Sequence, residues 1–360
     1  MSPVSVEFDE QIFQAQRRGG ISRAFAELIR ELRARPELGV EVSTPFRWVV
    51  NEHLVESGSS RFRRSPSSGL VRGGLNLVDR VVAKRPAVVH HTYYDESFLK
   101  AGEPPSVTTV HDMIPELFPD DFAAGNPHLA KRAFVDAADA VICVSETTRR
   151  DLLQVYGDVR ADVVVVPHGV GDEFRFPRPA HAVLPSRYVL FVGQRGTYKD
   201  WRVLIDAWGQ VAALEDCALV CLGGGAFTAQ EQALLRDAGL ATRAVQLAAA
   251  DSDLPGVYAA AELLVFPSRY EGFGLPILEA FAARCPVVAA DTACFREVAD
   301  DAAVFFEVGD ASALASRVSA LLGDSALRSS HVEAGAMRAS AFTWARTAER
   351  TAEVYRSVAR

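Results

Sequence analysis

No run of about 18 apolar residues occurs in the chain, so nothing in it reads as a membrane span. No apolar segment follows Met1, so no signal peptide is expected. Cysteine is scarce. Cys143, Cys217, Cys221, Cys285 and Cys294 form no Cys-x-x-Cys pair and sit mostly in apolar runs. They read as reduced core residues of a cytoplasmic protein, not as a disulfide frame or zinc ligands. A basic excess is missing as well. Against 46 Asp+Glu stand 38 Lys+Arg, and the net charge of −8 argues against general nucleic-acid binding. There is no Gly-x-Gly-x-x-Gly dinucleotide fingerprint and no internal repeat at a solenoid period.

What is present is an ordinary globular composition, 49% hydrophobic and 23% charged, over 360 residues. That length suits two domains. The most informative stretch runs from Val265 to Phe281. An apolar strand (Leu263 to Phe266) stops at Pro267, a glycine-bearing turn follows, and a helix starts near Pro276, where proline's missing N–H costs nothing. Gly272 and Gly274 let backbone approach a ligand closely. The N–H groups of Gly274, Leu275 and their neighbours then point out of the helix start, which makes an anion site. Glu271 and Glu279 flank that turn, one before it and one inside the helix. At that spacing they are not a side-by-side pair but two hydroxyl-binding hooks around a phosphate cradle.

In the amino-terminal half, Val4–Phe8 reads as a first strand. Arg17-Arg18-Gly19-Gly20-Ile21-Ser22-Arg23 leads into a helix with Phe25, Leu28, Ile29 and Leu32 on one face, again a strand–glycine–helix anion site. Residues 55–74 are rich in Ser, Gly and Arg and read as a mobile loop, either a solvated insertion or a basic reach toward an anionic lipid-linked acceptor or membrane surface. Residues 87–94 and 106–116 are short buried strands with polar carboxyl ends, His90-His91 and His111-Asp112, where ligands of open α/β sheets gather. No Cys or carboxylate lies at metal-ligand spacing with these histidines, so no metal site is expected. Ala140–Ser145 is a strand, with Ser145 capping the helix Glu146–Tyr156.

The proline-rich stretch 176–186 is read as the inter-domain linker. The pattern restarts at Tyr188–Gly193, which runs into Gln194-Arg195-Gly196-Thr197-Tyr198-Lys199-Asp200 and a helix from Trp201 to about Leu214. Arg195 and Lys199 at a strand end suit a diphosphate as charge-assisted donors. Asp251-Ser252-Asp253 resembles a metal–nucleotide motif but precedes Leu254-Pro255, so its aspartates are read as caps of a helix start.

Strand and helix alternate in both halves, which implies two doubly wound parallel α/β sheets. The ordered motifs, from Gly-Gly-Ile-Ser-Arg through Val-His-Asp-Met-Ile-Pro-Glu and Tyr-Lys-Asp to Glu271-x7-Glu279, resemble the retaining glycosyltransferases of family 4. Within that family they are closest in kind to the bacterial polysaccharide mannosyltransferase-like group. The resemblance covers nearly the whole chain. It implies the GT-B fold: a Rossmann-like acceptor-side domain at 1–177, a Rossmann-like donor-nucleotide domain at 178–342 facing it across a cleft, and a helix at 343–360 that crosses back to the first. Two departures stand out: family members commonly carry Asn at the position of His168, and Gly or Asn at that of Asp200.

The activity implied is transfer of a hexose or deoxyhexose from a nucleotide-diphosphate sugar to a hydroxyl of a glycan or lipid-linked acceptor, with retention and without a metal or other cofactor. GDP-mannose is the first donor and a UDP-sugar the second. Glu279 would hold the ribose; Gly272, Phe273, Gly274, Leu275, Lys199, Arg195 and, from the first domain, Gly20 the donor phosphates; Glu271 the sugar hydroxyls. Glu271, His111 and Lys199 carry the catalytic expectation, the cationic and N–H donors stabilising charge on the leaving diphosphate. His91 and Asp112 fall on the acceptor or sugar side. The expected location is cytoplasmic or peripheral to the inner face of the membrane. Rival readings are a glycoside hydrolase using the two glutamates, an epimerase of the same fold, and a non-catalytic sugar-nucleotide-binding module.

Overall fold

The apolar runs of both halves become parallel strands, because parallel neighbours need a crossover between them and helices supply it. The computed structural model describes residues 2–56, 62–64, 76, 84–100, 102, 104–122, 127–180 and 183–359. The expected loop at 55–74 falls mostly outside these. Of its basic residues, Arg63 and Arg64 are described, as a short strand parallel to Trp48–Val49. No helix among the described residues is long and apolar enough to cross a membrane.

The chain divides into two compact units, residues 1–169 with 344–360, and residues 170–343. The sequence placed the first border at 177/178. The stretch 170–177 instead belongs with the second unit, because it carries an anchor just before the proline-rich stretch. Phe174 is buried, its ring centroid 5.8 Å from that of Tyr258, and Val170 bridges to Thr343.

In the first unit the strands are β1 (Val4–Phe8), β2 (Val40–Ser43), β3 (Val88–His91), β4 (Ser106–Val110), β5 (Ala140–Cys143) and β6 (Asp162–Val165). They lie in the order β2-β1-β3-β4-β5-β6, all parallel. β3, β4 and β5 are buried at every position, as strands covered on both faces must be. Helix Gly20–Ala34 lays Phe25, Leu28, Ile29 and Leu32 against Val6 and Phe8. The terminal helix Trp344–Val358 completes the same core through Ala348, Ala352 and Tyr355. Ser145 caps helix Glu146–Tyr156 by accepting from the Thr148 N–H.

The second unit holds β7 (Tyr188–Val192), β8 (Ala218–Leu222), β9 (Ala244–Leu247), β10 (Leu263–Phe266), β11 (Val287–Ala290) and β12 (Val304–Phe306). Their order is β9-β8-β7-β10-β11-β12, again all parallel. This is the strand order of dinucleotide-binding doubly wound sheets, although the dinucleotide fingerprint is missing. The helix after β7 ends at Trp208, earlier than the periodicity suggested, with Gly209 at its C-cap. Asp253 occupies the N-cap position of helix Leu254–Ala259 without a side-chain cap bond, so the chain direction there follows from Pro255 in the first turn.

Candidate donor and sugar-side sites

In an open α/β sheet the strand order reverses at one point, and the crevice beyond the carboxyl ends of the two strands there is the natural ligand site. In the second unit those strands are β7 and β10. The segments leaving them are Gly193–Asp200 and Pro267–Leu275, the two stretches the sequence singled out.

Gly193 sits at φ 133°, and a Cβ added there would lie 3.6 Å from Lys199 Cδ and Cε. The lysine stem therefore runs along bare glycine backbone, and its ammonium reaches Glu271, Nζ to Oε1 2.5 Å. Both side chains keep some exposure, 17% and 13%. Gly274 is the N-cap of helix Leu275–Ala282 at φ 108°, a conformation only glycine adopts without strain. Pro276 fills the first turn, which holds no acidic residue. An anion at this helix start thus meets N–H donors, and the helix's own first turn offers no carboxylate to compete.

Glu279 is buried and accepts from the Tyr258 hydroxyl at 2.7 Å. The two glutamates so have different partners and different surroundings, as their spacing foretold. Gly272 and Phe273 are buried beneath the turn, Phe273 edge-on to Phe342 at 6.0 Å. Arg195 is placed differently from a free phosphate donor. Its Nε bonds Glu231 at 2.9 Å, and its two terminal nitrogens donate to the carbonyls of Gly223, Gly224, Gly225 and Ala226. The guanidinium holds a turn of three glycines at positive φ, so Lys199 and not Arg195 is the cation that meets Glu271. Asp200, just past the lysine, adopts φ 47° and accepts from Arg269 Nε at 2.8 Å, while the Arg269 N–H donates to the Tyr198 carbonyl at 2.7 Å.

In the first unit the reversal lies between β1 and β3. Asp9 follows β1 and is buried. It accepts from His91 Nδ1 at 2.9 Å, from the Thr92 N–H at 3.1 Å, from the Thr92 hydroxyl, and from Gln11 through Nε2 at 2.6 Å. Burial pushes its carboxyl up, but the hydrogen bond and charge of His91, with Thr92 and Gln11, outweigh that and hold it below the usual range. Sequence reasoning chose His91 and missed Asp9, because two of its partners, His91 and Thr92, lie more than 80 positions away.

The strand-end pair His111-Asp112 is not joined by a hydrogen bond among the described residues. Asp112 Oδ1 accepts from the Ile114 N–H at 3.0 Å, and its carbonyl accepts from the buried Lys131 Nζ at 2.7 Å. Lys131 also pairs with Glu116 at 2.8 Å. His111 stacks on His168 at 5.4 Å and 26°, with Phe25 edge-on at 5.5 Å, and His168 meets Trp344 at 5.6 Å. These rings border a cavity of about 20 Å³. Burial holds both imidazoles neutral, His168 down to about 3. An imidazole in place of the usual Asn is thereby accommodated as a stacking plate. Gly20 opens its helix with free space where a Cβ would stand. Before it, Arg17, Arg18 and Arg64 all bond the single carboxylate of Glu52.

Known proteins resemble this chain in both units. A family model described as glycosyl transferases group 1 matches residues 173–338, and one described as glycosyltransferase family 4 matches residues 18–174. The alpha-maltose-1-phosphate synthase of Mycobacterium tuberculosis is 30% identical over 342 residues, which cover 84% of this chain and 88% of that protein. A D-inositol 3-phosphate glycosyltransferase of Kineococcus radiotolerans is 32% identical over 258 residues, covering 63% of this chain but only 59% of the relative's length. Among solved structures, Anabaena HepE in complex with UDP and glucose superposes with a TM-score of 0.74 over 98% of this chain and 100% of that one, at 19% identity. The chain belongs to the glycosyltransferases of the family 4 type, with the GT-B fold.

Proposed function

We propose that the protein is a retaining hexosyl- or deoxyhexosyltransferase that works without a metal, moving sugar from a nucleotide-diphosphate donor to a hydroxyl of a glycan or lipid-linked acceptor in polysaccharide, lipopolysaccharide or glycoconjugate synthesis. The observation that carries the reading is the Lys199–Glu271 contact at the β7/β10 switch point, beside the Gly274 helix start. A cation and a carboxylate at 2.5 Å divide the work: the ammonium and the N–H groups of Gly274 and Leu275 take the diphosphate, and the carboxylate takes sugar hydroxyls. Glu279, oriented by Tyr258, holds the ribose. As C–O cleavage loads negative charge onto the leaving phosphate, donors fixed beforehand stabilise it without reorganising. In the first unit, His111, His91 and Asp112 serve the sugar or acceptor side. The work takes place in the cytoplasm or at the inner membrane face.

GDP-mannose is the donor favoured by the polysaccharide-mannosyltransferase motifs. A UDP-sugar is the second reading, favoured by the UDP in the HepE structure. The test is a thermal-shift series with GDP-mannose, UDP-glucose and their free nucleotides, with and without EDTA, followed by nucleotide release and anomer assignment of the product. Stabilisation by a nucleotide sugar, turnover surviving EDTA and a retained anomer support the proposal. An unmoved melting point with all donors overturns the donor site. Donor conversion without acceptor would make the protein an epimerase, and tight binding without transfer or hydrolysis a binding module.

A further inference from the structure

The Lys199–Glu271 contact lies between two cross-links that join the same loops. On one side the Arg269 N–H donates to the Tyr198 carbonyl at 2.7 Å. On the other the Arg269 Nε donates to Asp200 Oδ2 at 2.8 Å. Lys199 stands between the two anchored residues, and Glu271 follows Arg269 by two.

Asp200 gives up two ordinary preferences to make this bond. It is the N-cap of helix Trp201–Trp208, a position where aspartate normally accepts from the N–H two or three residues on, yet it makes no side-chain cap bond. It also sits at φ 47°, ψ 39°, the left-handed region that Gly and Asn enter most readily and that Asp tolerates. Its carboxylate is nearly sealed, 6% exposed, whereas Arg269 is 55% exposed. The bond satisfies a sealed carboxylate at the expense of its cap bond, so the pair's use is better sought in geometry than in fold energy. Strained backbone beside a ligand site is a recurring mark of preorganisation.

Resting on the donor-site reading above, we propose that Asp200 and Arg269 are positioning residues that clamp the β7 and β10 loops together and so hold the Lys199 ammonium at Glu271. Neither touches the reacting atoms. A lysine stem has many rotamers, and its backbone must be fixed before its tip is.

The test uses the full chain with UDP-glucose and GDP-mannose, reading nucleotide release, nucleotide affinity by calorimetry and the melting point. Asp200→Gly keeps the left-handed backbone and removes the carboxylate. Asp200→Asn keeps both the backbone preference and an acceptor oxygen. Arg269→Gln removes the guanidinium from a largely exposed position. Expected are a fall of about tenfold in kcat for Asp200→Gly and for Arg269→Gln, with KM changed far less, since a misplaced group costs turnover steeply. The double variant should be no slower than the slower single one, because both act through one contact, and Asp200→Asn should recover most of kcat. Wild-type kcat in Asp200→Gly or in Arg269→Gln, or strictly additive losses, overturns the clamp. Lys199→Ala separates this from the parent reading. Full activity there sinks the donor site itself, whereas an inactive Lys199→Ala beside a fully active Asp200→Gly sinks only the clamp.

Discussion

Tyr258 and Glu279, 21 residues apart, meet in a hydrogen bond of 2.7 Å from phenol to carboxylate in the interior of the second unit. The phenol satisfies one lone pair of a buried acid and fixes its rotamer.

Two outcomes are expected at this pair. Tyr258→Phe leaves a buried carboxylate short of a donor and should cost about 1–3 kcal/mol of stability. Glu279→Ala should weaken nucleotide binding by about tenfold or more, the scale of one charge-assisted bond to a hydroxyl. Denaturant melts and calorimetry with GDP and UDP check them, and unaltered affinity in Glu279→Ala would remove the ribose assignment.

Glu271 behaves differently, being half-buried and paired with Lys199. If Glu271 grips the sugar as proposed, Glu271→Ala should lower kcat by about 10²-fold while nucleotide affinity stays within a few-fold. Steady-state kinetics set beside nucleotide calorimetry decide this, a parallel loss of both contradicting it.

A pH dependence follows from His90. Its ring nitrogens are hydrogen-bonded with Tyr355 and Thr109, and burial holds the imidazole neutral, down to about 3. The folded value lies below the unfolded one near 6.5, so the unfolded chain takes up the proton first. Stability is full above about pH 6.5 and drains as pH falls toward 3, by about 2 kcal/mol at pH 5 for this residue. His168, held down likewise, adds in the same direction. Melts at pH 7.5 and pH 5 should differ accordingly, and His90→Gln should reduce the difference.

Gly274→Ala tests the turn. At φ 108° a side chain is strained, and the new Cβ would stand 3.4 Å from Phe295 Cδ1. A loss of about 1–3 kcal/mol is expected, with weaker nucleotide binding as the helix start shifts. A melting point equal to the wild type would show that the turn adapts.

Much of this was legible because buried parallel strands write themselves as unbroken apolar runs. Val4–Phe8 and Leu263–Phe266 begin and end where periodicity placed them. The two loops that carry Lys199 and Glu271 were legible too, since each leaves the end of an apolar strand. What could not be read was long-range pairing. Nothing local in Phe8-Asp9-Glu10 announces a carboxylate buried against His91, and nothing in Leu254-Pro255-Gly256-Val257-Tyr258 points to Glu279. Arg195 looked free because its partners, the carbonyls of residues 223–226, are backbone groups that any residue carries. The unit border was hidden by Phe174, one aromatic anchor just before the proline-rich stretch.

The terminal helix sets the order in which the molecule can be finished. Tyr355 closes onto His90 at 2.7 Å and joins a core whose first strand is Val4–Phe8. Residues 170–343 are thus an insertion within the first unit, and all of them are synthesised before the helix that completes the first unit's core. The first unit, although begun first, waits for the last helix. Its core lacks Ala348, Ala352 and Tyr355 until every residue of the second unit has been made.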